Sequence, residues 1–202
     1  MQLLWYVAYG SNLNSARFLV YLQGGRPAGG ARDYPGSRDP LAPERDVALM
    51  IPGGIRFVGV SSVWGGGMAV YDAQAEGEVA VRAYLITAEQ FVDVLAQETR
   101  QEPGFDVDLA SVHETGWHSF GRGTYQTLAL VGSHEGLPML TFTSADVDGH
   151  PANAPSERYL RTMALGLREA HGWAGDRIGD YLAGFPGASG VWEADAIEAL
   201  AA

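Results

Sequence analysis

The chain has 202 residues, 47% of them apolar and 18% charged, which is the balance of a folded soluble protein with enough material for one full core. Its net charge of −11 would repel a phosphate backbone, so sequence-blind nucleic-acid binding is excluded as an expectation. All thirteen basic residues are arginine and cysteine is absent, which removes Schiff-base and P-loop lysines, thiolate nucleophiles and cysteine-ligated metals.

The lysine-free, Ala- and Gly-rich usage is what a GC-rich bacterial genome produces. No stretch approaches the roughly 18 apolar residues of a membrane helix. The start, Met1-Gln2-Leu3-Leu4-Trp5, has no basic n-region and runs straight into a patterned strand. The expectation is a cytoplasmic protein with no membrane partner.

In chain order, residues 3–9 form an apolar run of strand length that stops at Gly10. Asn14 or Ser15 can cap a short helix to about Leu22. Residues 23–45 are rich in Gly, Pro, Arg and Asp without periodicity, and are expected as a surface loop insertion. Strands follow near 47–51, 56–60, 68–71 and 79–86. The glycines Gly65-Gly66-Gly67 mark a bend where another backbone or a ligand comes close.

Thr87-Ala88-Glu89-Gln90 fits a capping box, so a helix runs from there to about Arg100. Strands near 124–131 and 137–143 flank the turn Ser133-His134-Glu135-Gly136. Ser156 can cap a long helix to Ala170 with Gly172 beyond its end, a short helix lies near 176–182, and an acidic tail covers 184–202. This order predicts a single α+β domain over 1–202, a mixed or barrel-like sheet with flanking helices.

Two features carry chemistry. A strand that ends in Tyr9-Gly10-Ser11-Asn12 and turns into a helix leaves backbone N–H groups free to hold a carboxylate or an oxyanion. The alternative is an ordinary turn with Ser or Asn as a cap. The second feature is Glu98. It falls four residues after Val94 and seven after Phe91, on the apolar stripe of its helix, while Glu89, Asp93 and Arg100 fall elsewhere. Burial there would raise its pKa and suit it to general acid/base work. The alternative is a carboxylate at the margin of the stripe, solvated or paired with Arg100 or Arg82.

The segment Tyr6-Val7-Ala8-Tyr9-Gly10-Ser11-Asn12-Leu13 resembles the (Y/F)-x-A-Y-G-S-N-L signature of γ-glutamylcyclotransferase-like proteins. Trp64-Gly65-Gly66-Gly67, the strand at 79–84, Ala96-Gln97-Glu98 and the helix after Pro155-Ser156 resemble further parts of that family. The resemblance implies a mixed β-barrel with helices and an intramolecular aminolysis of a γ-glutamyl amine or peptide to 5-oxoproline and free amine. It implies Tyr9, Gly10, Ser11, Asn12 and Leu13 as substrate-binding residues and Glu98 as general acid/base, with no cofactor and no metal.

The chain also departs from the pattern. Thr99-Arg100 follows the glutamate where the family often has glycine, and an aromatic hydroxyl of a late strand falls on Phe142. Residues 25–45 have no counterpart in minimal members.

Other readings are a non-catalytic small-molecule or protein binding module on the same fold, or an amide hydrolase or deacylase of other specificity. Asp146-Val147-Asp148-Gly149-His150 with Glu157 resembles a calcium loop, but Pro151 stands where that loop needs glycine. A Ser11/His hydrolase lacks a G-x-S-x-G elbow, and His113 and His118 suit surface positions.

Overall fold

The computed structural model describes residues 2–202; Met1 lies outside the described residues. Strands β1 (Leu3–Ala8), β2 (Arg45–Pro52), β5 (Glu78–Thr87), β6 (Trp117–Ser119), β7 (Thr127–His134) and β8 (Leu137–Thr143) form one mixed sheet. Their order is β2-β5-β1-β8-β7-β6, with β1 and β8 parallel and the other neighbours antiparallel. A separate ribbon pairs β3 (Gly54–Val58) with β4 (Met68–Asp72). It is tied to the large sheet by side chains: Tyr125 donates to the Ala69 carbonyl and Thr143 to that of Tyr71.

The strand β1 reads as an unbroken apolar run because both of its faces are covered. Leu4, Tyr6 and Ala8 point into one core; Trp5 and Val7, with Tyr9 just beyond, point into the other. Helices α1 (Ser15–Gln23), α2 (Ala88–Thr99) and α3 (Leu109–Thr115) contribute to the first core through Phe18, Phe91, Val94 and Val112. Helices α4 (Glu157–His171), α5 (Gly175–Ala183) and α6 (Ala194–Leu200) contribute to the second through Leu160, Met163, Ile178 and Ile197.

Local signals set the helix starts. Asn14 caps α1 by accepting from the Arg17 amide at 2.9 Å, and Thr87 and Gln90 form the reciprocal capping box of α2. Ser156 caps α4, and Gly172 ends it in the left-handed conformation. Within α4, a Cβ on Gly166 would lie 2.5 Å from the Asn14 nitrogen and the Leu13 carbonyl carbon. Glycine inside a helix costs about 1 kcal/mol relative to alanine; here it lets α4 lie directly on the turn after β1.

Several expectations need correction. The stretch 184–202, expected as an acidic tail, contains α6, and Ala188, Ile197 and Ala201 within it are buried. The helix α3 carries no strong periodic signal and was not anticipated. Residues 23–45 lack regular structure but are anchored, because Tyr34 is buried and Gly25 and Tyr34 form a bridge. The bend at Gly66 and Gly67 admits another backbone: a Cβ at either position would meet the 153–156 segment within 3 Å, and the Gly67 amide donates to Ala154.

Candidate active site

The turn after β1 and the end of α2 meet. Tyr9, Gly10, Ser11 and Asn12 line a small inner cavity of about 30 Å³ together with Glu98, Tyr125, Phe142 and Tyr159. Ser11, Glu98, Tyr125 and Tyr159 also line a larger cavity of about 250 Å³, which opens past Trp64, Arg32 and Arg100. The two share a wall, so Glu98 stands where a wide outer chamber narrows to the turn.

Each residue of the turn has its own role. The Tyr9 hydroxyl donates to the Phe142 carbonyl at 2.8 Å, which fixes the turn to β8. Ser11 begins the 3₁₀ turn Ser11–Leu13 and faces both cavities. The Asn12 amide donates to the Tyr6 hydroxyl at 2.9 Å, and its backbone carbonyl accepts from Tyr84 at 2.8 Å. Its buried Oδ1 has no partner among the described residues. Leu13, expected to touch substrate, instead lies in the core against α4 and lines neither cavity.

Gly10 leaves room that a side chain would fill. A Cβ there would stand 2.8 Å from the Tyr159 hydroxyl. That hydroxyl accepts from the Ala69 amide at 3.2 Å, and burial pushes its pKa up to about 12. The Tyr159 side chain thus stands directly against the Gly10 backbone.

Glu98 is part-buried, and neither alternative partner reaches it. Arg82 pairs with Asp46 and Glu169, at 2.8 and 2.9 Å, and Arg100 donates to Ser62. The partner of Glu98 is Tyr21 of α1, whose hydroxyl donates to Oε1. Desolvation raises the Glu98 pKa above the ordinary carboxylate value, against the opposing pulls of Arg17, the Tyr21 hydrogen bond and Arg32.

Behind Tyr21 stands Arg17, only 4% exposed. Its guanidinium lies 4.1 Å from the Tyr21 ring centre and 4.5 Å from that of Tyr34, and donates to the Tyr34 hydroxyl at 2.8 Å. Sequence reasoning missed Arg17, Tyr21, Tyr34, Tyr125 and Tyr159. The weak signal for Arg17 was a charged residue next to Phe18 on the buried side of a short amphipathic helix.

A second acid of α2 is more buried than Glu98. Asp93 has no exposed surface and accepts from Ser37, from the backbone and Nε of Arg38, and from the Gly104 amide at 2.8 to 3.1 Å. Its pKa is lowered: burial raises it, and the hydrogen bonds from Arg38 and Ser37 outweigh that. The helix face had placed Asp93 among solvent-facing residues. The reason it is buried is residues 36–38, which fold back over α2. One helix thus carries two chemical types of acid, a carboxylate held ionised and one whose neutral form burial favours.

Phe142 of β8 lines the inner cavity and brings no hydroxyl to it. Tyr125 and Tyr159 supply hydroxyls to the same cavity. No histidine lines either cavity with Ser11. Asp146 accepts from the Gly149 amide, His150 bonds Ser144, and Asp148 pairs with Arg56. Among the described residues, no three His, Cys, Asp or Glu side chains converge as metal ligands. His113 on α3 is exposed and His118 on β6 half-buried.

A solved γ-glutamyl cyclotransferase superposes with a TM-score of 0.55 at 15% identity, covering 99% of this chain and 98% of that one. The chain has the γ-glutamyl cyclotransferase fold. An uncharacterised protein from Homo sapiens superposes with a TM-score of 0.54, also at 15% identity, over 100% of this chain and 99% of that one. Among curated proteins, histone deacetylase 5 from Arabidopsis thaliana is 31% identical over 192 residues, covering 82% of this chain but 28% of that protein. The chain thus spans little more than a quarter of that plant relative's length. No family model matches. Among the described residues no helix is long and apolar enough to cross a membrane.

Proposed function

We propose that the chain is a γ-glutamylcyclotransferase-type enzyme that releases 5-oxoproline from a γ-glutamyl amide. One observation carries this reading: Glu98 and the Tyr9–Asn12 turn share one small cavity although 86 residues separate Glu98 from Asn12 in sequence. Burial raises the pKa of this carboxylate, which suits it to accept a proton and return it.

In this reaction Glu98 takes a proton from the substrate's α-ammonium group. The freed amine attacks the γ-carbonyl carbon, and the new C–N bond closes a five-membered ring. Backbone N–H groups of the turn hold the substrate carboxylate or the developing oxyanion. The bond to the leaving nitrogen then breaks as Glu98 returns that proton to it, and the ring nitrogen gives up its second surplus proton, through the freed Glu98 carboxylate, to solvent or to the released amine; protons and electron pairs then balance without a co-reactant. Because both reacting groups belong to one molecule, holding them in register supplies much of the rate. The solved γ-glutamyl cyclotransferase of the same fold supports this reading. The deacetylase name of the plant relative is not adopted, since the match covers so little of that protein.

The test is 5-oxoproline release from a panel of γ-glutamyl amides and dipeptides. Glu98→Gln is expected to lower turnover by about 10²–10⁴-fold with the circular dichroism unchanged. Full activity in that variant would remove Glu98 from the chemistry.

A further inference from the structure

Beside the Glu98 chamber lies a larger cavity of about 620 Å³, which the reaction above leaves unused. It is bounded by α1, the first turns of α4, residues 26–29 and Trp64, and shares only Trp64 with the outer chamber. Four of the thirteen arginines line it: Arg17, Arg26, Arg158 and Arg161. Among the described residues no acidic side chain lines it. In a chain of net charge −11, such a site gathers positive potential that the rest of the molecule lacks.

The arginines are not equivalent. Arg26 is balanced by Asp33 at 2.7 Å, whereas Arg158 and Arg161 make no ion pair among the described residues. Arg17 forms the inner wall. It is buried, and its Nε and Nη1 have no hydrogen-bond partner among the described residues. Those nitrogens have no accessible surface beneath Tyr21 and Tyr34, so Arg17 adds positive charge behind the wall while the exposed Arg158 and Arg161 supply the donors a ligand can reach. Around these charges the walls are apolar, from Val20, Leu165 and the Trp64 ring. The volume suits a small organic molecule.

We propose that this cavity is a second ligand site, for an organic anion whose carboxylate or phosphate meets the arginines and whose flat or aliphatic body lies against Val20, Leu165 and Trp64. The assignment does not depend on the cyclotransferase reading, because Arg158 and Arg161 lie outside the Glu98 cavities.

The probe is 1-naphthyl phosphate, titrated calorimetrically into the full chain beside 1-naphthol and inorganic phosphate. One equivalent of naphthyl phosphate is expected to bind, at least about tenfold more tightly than either control, since each control lacks either the charge-assisted contact or the apolar burial. Arg158 and Arg161 are exposed, so Arg158→Gln with Arg161→Gln leaves the fold intact and is expected to weaken binding at least about tenfold. Equal binding of naphthol would overturn the anion assignment, and equal binding of inorganic phosphate the apolar one. Unchanged affinity in the double variant would put the probe elsewhere and overturn the site. 5-Oxoproline release measured in the same double variant separates this outcome from the fate of the Glu98 reading.

Discussion

The hydroxyl of Tyr21 on α1 donates to the carboxylate of Glu98 on α2, so the helix that follows the turn also grips the acid that faces it. This bond favours the ionised form of Glu98 and works against burial, which favours the neutral form. Tyr21→Phe keeps the ring in its aromatic cluster and removes only the donor. The Glu98 pKa then rises further, and the carboxylate needed as base appears only at higher pH. The acid limb of the pH profile of kcat/KM is expected to move to higher pH. A limb that stays in place would show that Glu98 does not set it.

Gly10 and Tyr159 make a second pair. Gly10→Ala places a methyl group 2.8 Å from the Tyr159 hydroxyl and is expected to cost about 1–3 kcal/mol in denaturant unfolding. Adding Tyr159→Phe removes the clashing oxygen, so the double variant is expected to be more stable than Gly10→Ala alone. Simple additivity of the two changes would show that this contact is not why glycine occupies the turn.

Asp93 gives a prediction about stability alone. Its folded pKa is depressed, so its contribution is fully present above the ordinary aspartate value and is lost as pH falls through the folded value. Asp93→Ala leaves Ser37 and the amides of Arg38 and Gly104 without their acceptor, and is expected to cost about 3 kcal/mol at pH 7. The gap between variant and parent should shrink on acidification; a gap independent of pH would mean the carboxylate is not what the loop binds.

Arg32 tests what residues 23–45 do. It lines the outer chamber, where it donates to the Gln97 carbonyl at 3.2 Å. Arg32→Ala is expected to lower kcat/KM for γ-glutamyl amides with an anionic leaving group by about 1 kcal/mol, roughly fivefold, and to spare neutral ones. A uniform loss across the panel would remove Arg32 from leaving-group choice.

The strands and capped helices were legible because their signals are local: the apolar run before Gly10, the capping box at Thr87 and Gln90, and Ser156 with Gly172 around α4. The same holds for the bend at Gly66 and Gly67, where a glycine run forecast a close backbone. Glu98 stood out because its spacing from Phe91 and Val94 conflicts with its charge.

The rest depended on contacts distant in sequence. Asp93 is buried by Ser37 and Arg38, and periodicity within α2 cannot show that. Tyr21 is apolar enough to pass as plain core, and only the crossing of α1 and α2 makes it the partner of Glu98. Arg17 shows locally only a charge beside Phe18; what buries it comes from Tyr34 and Trp64, far away in sequence. The final 19 residues were misjudged as a tail because their apolar residues are mostly small alanines interrupted by glycine and acids, yet Ala188, Ile197 and Ala201 are buried and Phe185, Trp192 and Leu200 pack on the core.

The irregular stretch between α1 and β2 touches the chemistry twice. Arg32 stands at the chamber entrance, and two residues later Tyr34 receives the hydrogen bond of Arg17, whose charge draws down the Glu98 pKa. Exchanging this stretch to alter what enters would therefore also alter how strongly the base holds its proton. In this architecture choice of cargo and choice of working pH are inherited together, and a graft that aims at one must be assayed for the other.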